Sequence, residues 1–385
     1  MVGGKRIVID VKKIKKIILY FLSTASTVVC CLCLSLQTFE LSKKNLNLFK
    51  LFSISFIMSD GDMRSIEKKI NVNKFNTEKV VNLDIKRTNT PVVSNLEYNK
   101  AEINIDKNEV YPEITDFVIP YNEGENTFKI IESHFGDSGI KYENFYVNNK
   151  SGIDINISEE LEKKPDINIK KDGTPQVLIY HTHTCESFMD KDQGFYFESF
   201  YPRTEDNRYN VVRVGDAICE SLKKSGYGAI HDTTCHDSPS FSGSYKRSAE
   251  TIDKNLEKYP SIQVTIDIHR DTIGNNERGK IKPTFRVGDK KAAQIMIMSG
   301  CDVDGNLNFP DWEYNLRLAL RLQKSAENLY PGMTRSMFFG PVKYNMNKTH
   351  ASLLIEVGTE VNTLNEAVYT GSLIGNVLTD VFNGI

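Results

Sequence analysis

The chain has 385 residues, with 48 Lys plus Arg against 50 Asp plus Glu and a net charge near −2. That balance excludes the broad cationic surface on which nucleic-acid binding depends, so no nucleic-acid partner is expected. Hydrophobic residues make up 40% and charged residues 25%, an ordinary globular mixture that excludes a polytopic membrane protein.

In chain order, residues 1–16 form a basic tail in which Lys5, Arg6, Lys12, Lys13, Lys15 and Lys16 stand against Asp10 alone. Ile17 to Phe39 follow as 23 residues without a charge, enough at about 1.5 Å per residue to cross ~30 Å of hydrocarbon. A single membrane-spanning helix is expected over 17–39, with the N-terminus cytoplasmic by the positive-inside rule and everything after Phe39 outside. The stretch exceeds the ~7–15 residues of a signal peptide's apolar core and lacks a small-x-small cleavage pattern. Leu46 to Met58 is too short to span and holds Lys50, which fits a helix lying in the interface. Residues 40–116 read as a largely disordered spacer. Asn71 to Val110 holds nine Asn and twelve charged residues without a sustained apolar period, too little to offset chain entropy. Residues 117–173 read as a small lead-in with β-like pieces at Phe145–Val147 and Ile153–Ile157.

At Thr174 the pattern changes to apolar runs of strand length alternating with amphipathic helical stretches, the signature of an α/β domain over 174–385. Strands are expected at Gln176–His181, Ala229–His231, Ile262–His269, Gln294–Met298 and Ser352–Glu356. One helix aligns Val211, Val214, Ile218 and Leu222 and ends at Gly226; others cover Ser244–Tyr259 and Trp312–Leu329. The last aligns Ala367, Gly371, Ile374, Leu378 and Val381. Strands separated by helices imply a mostly parallel sheet covered by helices on both faces.

In such sheets ligands bind beyond the carboxyl ends of the strands. The first strand runs into His181-Thr182-His183-Thr184-Cys185-Glu186, the Ile262 strand into His269-Arg270-Asp271, and the Ser352 strand into Glu356. Three of only seven His sit at these ends. A catalytic zinc needs about three N/O ligands, an open position and a carboxylate that handles the proton. His183, Glu186 and His269 suit the ligands, and Glu356 the base. His181 suits a supporting or substrate-donor role.

The segments YHTHTCESF (Tyr180–Phe188), DIHRD (Asp267–Asp271) and LLIEVGTEVN (Leu353–Asn362) look like those of the stage II sporulation protein P family. That family resembles the zinc-dependent N-acetylmuramoyl-L-alanine amidases, so the resemblance implies an amidase-like fold, Zn2+ as cofactor and peptidoglycan as substrate. It places His183 and His269 on the histidine ligands and Glu356 on the catalytic glutamate. The amidases' glutamate ligand lies just before the first helix, where this chain has Glu205, Asp206 and Asn210 without a clean match; Glu186 is the choice, with Glu205 and Asp206 left open. Arg270 and Asp271 are expected to support His269 or grip the peptide. The resemblance also implies cleavage of peptide cross-links, a setting in septal wall degradation and forespore engulfment, and partnership with stage II sporulation protein D, a transglycosylase.

Two rival readings remain at this level. Cys185, beside His183, suits a cysteine-type cell-wall endopeptidase, although it follows a strand instead of opening a helix. A wall-binding scaffold without catalysis is the other. Of seven cysteines, Cys30, Cys31 and Cys33 fall in the apolar stretch, while Cys185, Cys219, Cys235 and Cys301 are scattered without metal-like spacing or an evident disulfide framework.

Overall fold

The computed structural model describes residues 113–385. The expected basic tail, membrane helix, interfacial helix and most of the spacer lie outside the described residues. Among the described residues no helix is long and apolar enough to cross a membrane.

In chain order the elements begin with β1 (Thr127–Ser133), β2 (Ile140–Tyr142), β3 (Phe145–Asn149), α1 (Ile157–Glu162), β4 (Pro175–Tyr180), β5 (Phe195–Phe197), α2 (Val212–Lys224), β6 (Gly228–His231) and α3 (Ser244–Lys258). They continue with β7 (Val264–Asp271), β8 (Gly274–Asn275), β9 (Gly279–Val287), β10 (Lys290–Ala293), β11 (Ile295–Gly300), α4 (Trp312–Leu329), β12 (Met337–Gly340), β13 (Ala351–Thr359) and α5 (Leu364–Asn383).

The main sheet has eight strands in the order β2-β3-β12-β11-β13-β7-β4-β6. It is mostly parallel, as the periodicity predicts, with antiparallel pairing only between β2 and β3 and between β11 and β13. Side chains alternate across a strand, so each strand feeds two cores. Val177, Ile179, Val264, Ile266, Ile268, Leu353, Ile355 and Val357 join α2, α4 and α5 in the larger core. Leu178 and Tyr180 turn the other way and pack with Ile252 of α3 and Ile262. Helices therefore cover both faces. The C-terminal helix α5 starts with a capping box, in which Thr363 accepts from the Glu366 backbone N–H while the Glu366 side chain accepts from that of Thr363.

Four features differ from the sequence expectation. A second sheet, in the order β10-β9-β1-β5 with β8 on β9, was not anticipated. The lead-in does not precede the α/β domain as a separate piece: β1 pairs with β5 and β9, and β3 with β12, so its strands are woven into both sheets. Ile153–Asn156 is not a strand, and α1 opens at Ile157 because the Asn156 side chain caps it by accepting from the Glu159 N–H. The end of the expected spacer is also docked, since Ile114 exchanges two hydrogen bonds with the Asn365 side chain.

Candidate metal centre

Strands β4, β7 and β13 are neighbours and run parallel, which brings their carboxyl ends together. Glu356 and His269 are directly opposite each other in the β13–β7 ladder. Both project to the face that α3 covers, as does Asp267 two residues before His269. The chain leaves β4 in a tight turn over 182–185, closed by a Glu186 N–H to His183 carbonyl bond of 3.1 Å, and this turn swings His183 over the same face.

The rings of His183 and His269 stand nearly perpendicular with centroids 5.2 Å apart. His269 Nδ1 lies 3.5 Å from Glu186 Oε2, and its Nε2 lies 3.0 Å from Asp267 Oδ1 without the alignment of a hydrogen bond. All four side chains are buried. Burial opposes charge on His269, yet the Asp267 and Glu186 carboxylates outweigh it and hold the imidazole pKa well above its usual value. Burial holds His183 down to about 4, keeping it neutral. Glu186 is buried too, but His269 and Arg270 draw its pKa down to about 2.

Glu356 is placed differently. Burial, reinforced by Asp271, pushes its carboxyl up to about 8, and its Oε2 has no partner. The buried Nδ1 of His183 and the Tyr245 hydroxyl are also without partners. Tyr245, at the start of α3, stands edge-on to His183 at 5.7 Å. Buried polar atoms without partners are costly, and a cluster of them among two imidazoles and two carboxylates fits a site built for a cation and a polar substrate.

The remaining candidates separate into supports and bystanders. Arg270 donates from its backbone N–H to Glu186 Oε2 at 3.1 Å, while its guanidinium reaches the Ser187 and Pro202 carbonyls and the Thr272 hydroxyl. It thus ties the segment carrying Glu186 to β7. Asp271 pairs with Arg335 at 2.8 Å. His181 does not face His183, because the turn breaks the alternation that would place them on one side. It is fully buried under α2, with Nδ1 3.0 Å from the Ile268 carbonyl and Nε2 2.8 Å from His231, so no ring nitrogen is open to a substrate. Glu205 accepts from Ser238, and Asp206 pairs with exposed Arg208; neither touches His183 or His269. Cys185 is buried, and burial together with Asp237 pushes its thiol pKa upward, away from the resting thiolate that a cysteine peptidase needs.

Four neighbours escaped sequence reasoning. Asp267 holds His269 while accepting from the Thr182 N–H and hydroxyl, and its position two residues before His269 was a readable signal. Asp237 lies 3.9 Å from His183 Nδ1 and pairs with Arg203. Phe241 stacks on the His183 ring at 4.2 Å. Along with Tyr245, these last residues come from β6–α3 and its flank, where no periodic pattern marks them. Among the described residues, Cys185, Cys235 and Asp237 are the group of His, Cys, Asp or Glu whose ligand atoms all lie within 4.8 Å of one another, whereas those of His183, Glu186 and His269 are not all drawn that close.

Comparison with known proteins agrees with the motifs. A curated stage II sporulation protein P of Bacillus subtilis is 27% identical over 248 residues, which cover 60% of this chain and 58% of that relative's length. Among solved structures, the CwlD amidase from Clostridioides difficile in complex with the GerS lipoprotein is 12% identical, covering 54% of this chain and 97% of that one at a TM-score of 0.33. The N-acetylmuramoyl-L-alanine amidase AmiC2 of Nostoc punctiforme is 11% identical, covering 55% and 97% at a TM-score of 0.32. The model of the stage II sporulation protein P family matches residues 97–379, and the chain belongs to that family.

Proposed function

We propose that the chain is a zinc-dependent peptidoglycan hydrolase, an N-acetylmuramoyl-L-alanine amidase that also acts on peptide cross-links. The observation that carries this reading is the convergence of His183, Glu186 and His269 beside the unpartnered, buried carboxyl of Glu356. His183 and His269 offer imidazole nitrogens and Glu186 a carboxylate, the donor set of a three-ligand catalytic zinc. When bound there, zinc supplies Lewis-acid polarisation of the scissile amide carbonyl.

The rest of the chemistry belongs to the chain. Glu356 takes a proton from the attacking water at Oε2 and returns it to the leaving nitrogen, a task for which a carboxyl tuned toward neutral pH is suited. Asp267 orients His269 and balances its charge. Arg270 fixes the position of Glu186. The Tyr245 hydroxyl is placed to donate to the substrate carbonyl. The same reading puts the chain in the wall between mother cell and forespore during engulfment, held by the uncharged segment 17–39 and working beside stage II sporulation protein D.

Metal analysis of the full chain tests it. Wild type and Glu356→Gln should each carry about one zinc, His183→Ala and His269→Ala none, and only wild type should release stem peptides from purified sacculi. Equal zinc and equal digestion by all four would overturn the proposal.

A further inference from the structure

Cys185 and Cys235 are fifty positions apart in sequence, yet their Sγ atoms lie 3.4 Å from each other. The approach is held on both sides. Thr184 Oγ1 donates to the Thr234 carbonyl at 2.9 Å and accepts from the His236 N–H at 3.2 Å, and His236 Nδ1 lies 2.7 Å from the His181 carbonyl. The Cys185 N–H points at Asp237 Oδ1 at 3.1 Å. Residues 181–185 and 234–237 are thus laced into a fixed register with the two sulfurs facing one another. Cys185 is buried whereas Cys235 reaches solvent, so one thiol is available to a reagent and the other waits behind it.

We infer that Cys185 and Cys235 form a reversible dithiol–disulfide pair that regulates the neighbouring metal centre, formed by exchange with a low-molecular-weight disulfide. The Cys235 thiolate attacks one sulfur of the small disulfide and expels a thiolate, leaving a mixed disulfide. Cys185, giving its proton to that thiolate, then attacks Cys235 Sγ and expels the second small thiolate, which takes up from solvent the proton that Cys235 had released. Two protein thiols are oxidised by two electrons, and one small disulfide is reduced to two thiols. A metal shared by the two cysteines and Asp237 is disfavoured because Asp237 is already neutralised by the Arg203 guanidinium and bonded by the Cys185 N–H.

The regulatory consequence rests on the zinc reading above. Cys185 stands two residues after His183 and immediately before Glu186. Drawing the sulfurs from contact into a bond pulls on both proposed ligands, and zinc affinity should fall roughly 10- to 100-fold, the scale on which disturbed ligand support acts.

The test exposes reduced full chain to oxidised glutathione, maps the linked peptides by mass, and measures zinc affinity by competition with a chromophoric chelator. Wild type should yield a peptide pair joined through Cys185 and Cys235 and lose at least tenfold in zinc affinity, both reversed by dithiothreitol. Cys235→Ser should form no such link and hold zinc equally before and after the oxidant. Peptides of 185 and 235 that end free or only glutathionylated would overturn the pairing, and a complete link with unchanged zinc affinity would overturn the switch. A reduced chain that binds no zinc would defeat the reading of the metal centre, while the linked peptide, read by mass alone, still decides the pairing.

Discussion

Glu356→Gln separates the catalytic demand proposed for this side chain from its cost to the fold. Burial and Asp271 push the carboxyl from its ordinary 4.5 to about 8 in the metal-free chain. A carboxyl whose pKa rises on folding favours the folded state fully at pH values below 4.5 and loses that support as the pH climbs toward 8. At about 1.4 kcal/mol per pH unit, the interval from 4.5 to 7 amounts to a penalty of about 3 kcal/mol at pH 7. Gln avoids the charge but puts an amide N–H where Oε2 has no partner, which returns about 1 kcal/mol. Chelator-treated Glu356→Gln should therefore be about 2 kcal/mol more stable than wild type at pH 7, a rise of roughly 4–8 °C in Tm. Near pH 4 the order should reverse, with the variant about 1 kcal/mol the weaker. Thermal unfolding followed by circular dichroism across pH 4 to 8 measures both. A Tm difference that stays constant with pH, or a variant less stable at pH 7, would refute the assignment of a buried, neutral carboxyl. Turnover on sacculi should fall at least ~100-fold with zinc retained.

Zinc uptake should release about one to two protons at pH 6–7, because the protonated His269 held between Asp267 and Glu186 must give up its charge and the neutral Glu356 carboxyl ionises beside the cation. Calorimetric titration in buffers of differing ionisation enthalpy reads this directly, and buffer-independent heats would rule it out. Arg270→Ala removes the guanidinium bonds to Ser187, Thr272 and Pro202 and should cost about 2–3 kcal/mol in urea unfolding. Zinc affinity should fall roughly tenfold as Glu186 loosens, and Arg270→Lys should not restore it. Gly215→Ala would set a Cβ 2.4 Å from His231 Nε2 and 2.8 Å from His181 Nε2. A loss of about 2–3 kcal/mol in urea unfolding is expected, and a neutral outcome would show that the two histidines can separate from α2 without cost.

Much of this architecture is legible from periodicity. The helix expected at Trp312–Leu329 has those bounds, and β4 and β13 fall where uninterrupted apolar runs place them. The small sheet escaped notice for a physical reason. In β9 Lys280 and Lys282 are buried alongside Pro283, Thr284 and Phe285 and pair with Glu360, Glu366 and Asp192, so the first half of the strand reads as a polar segment. The site divides along the same line. His183, His269 and Glu356 could be found because they follow or close apolar strand-forming runs, although β7 and β13 extend to Asp271 and Thr359, and Glu186 because it follows the turn after β4. Asp237, Phe241 and Tyr245 arrive from a connection and a helix start, where position is set by tertiary contact. His181 was misplaced because a turn, invisible to a period-two rule, begins right behind it.

The weaving of β1 and β3 into the two sheets determines how small a working fragment can be. Cutting before Thr174 would strip β3 from β12 and β1 from between β5 and β9, leaving open strand edges with their N–H and C=O groups exposed. Such a fragment should precipitate or self-associate even though every proposed ligand is present in it. Expression boundaries for this protein therefore belong upstream of Ile114, whose clasp on Asn365 fastens the entering segment to the last helix.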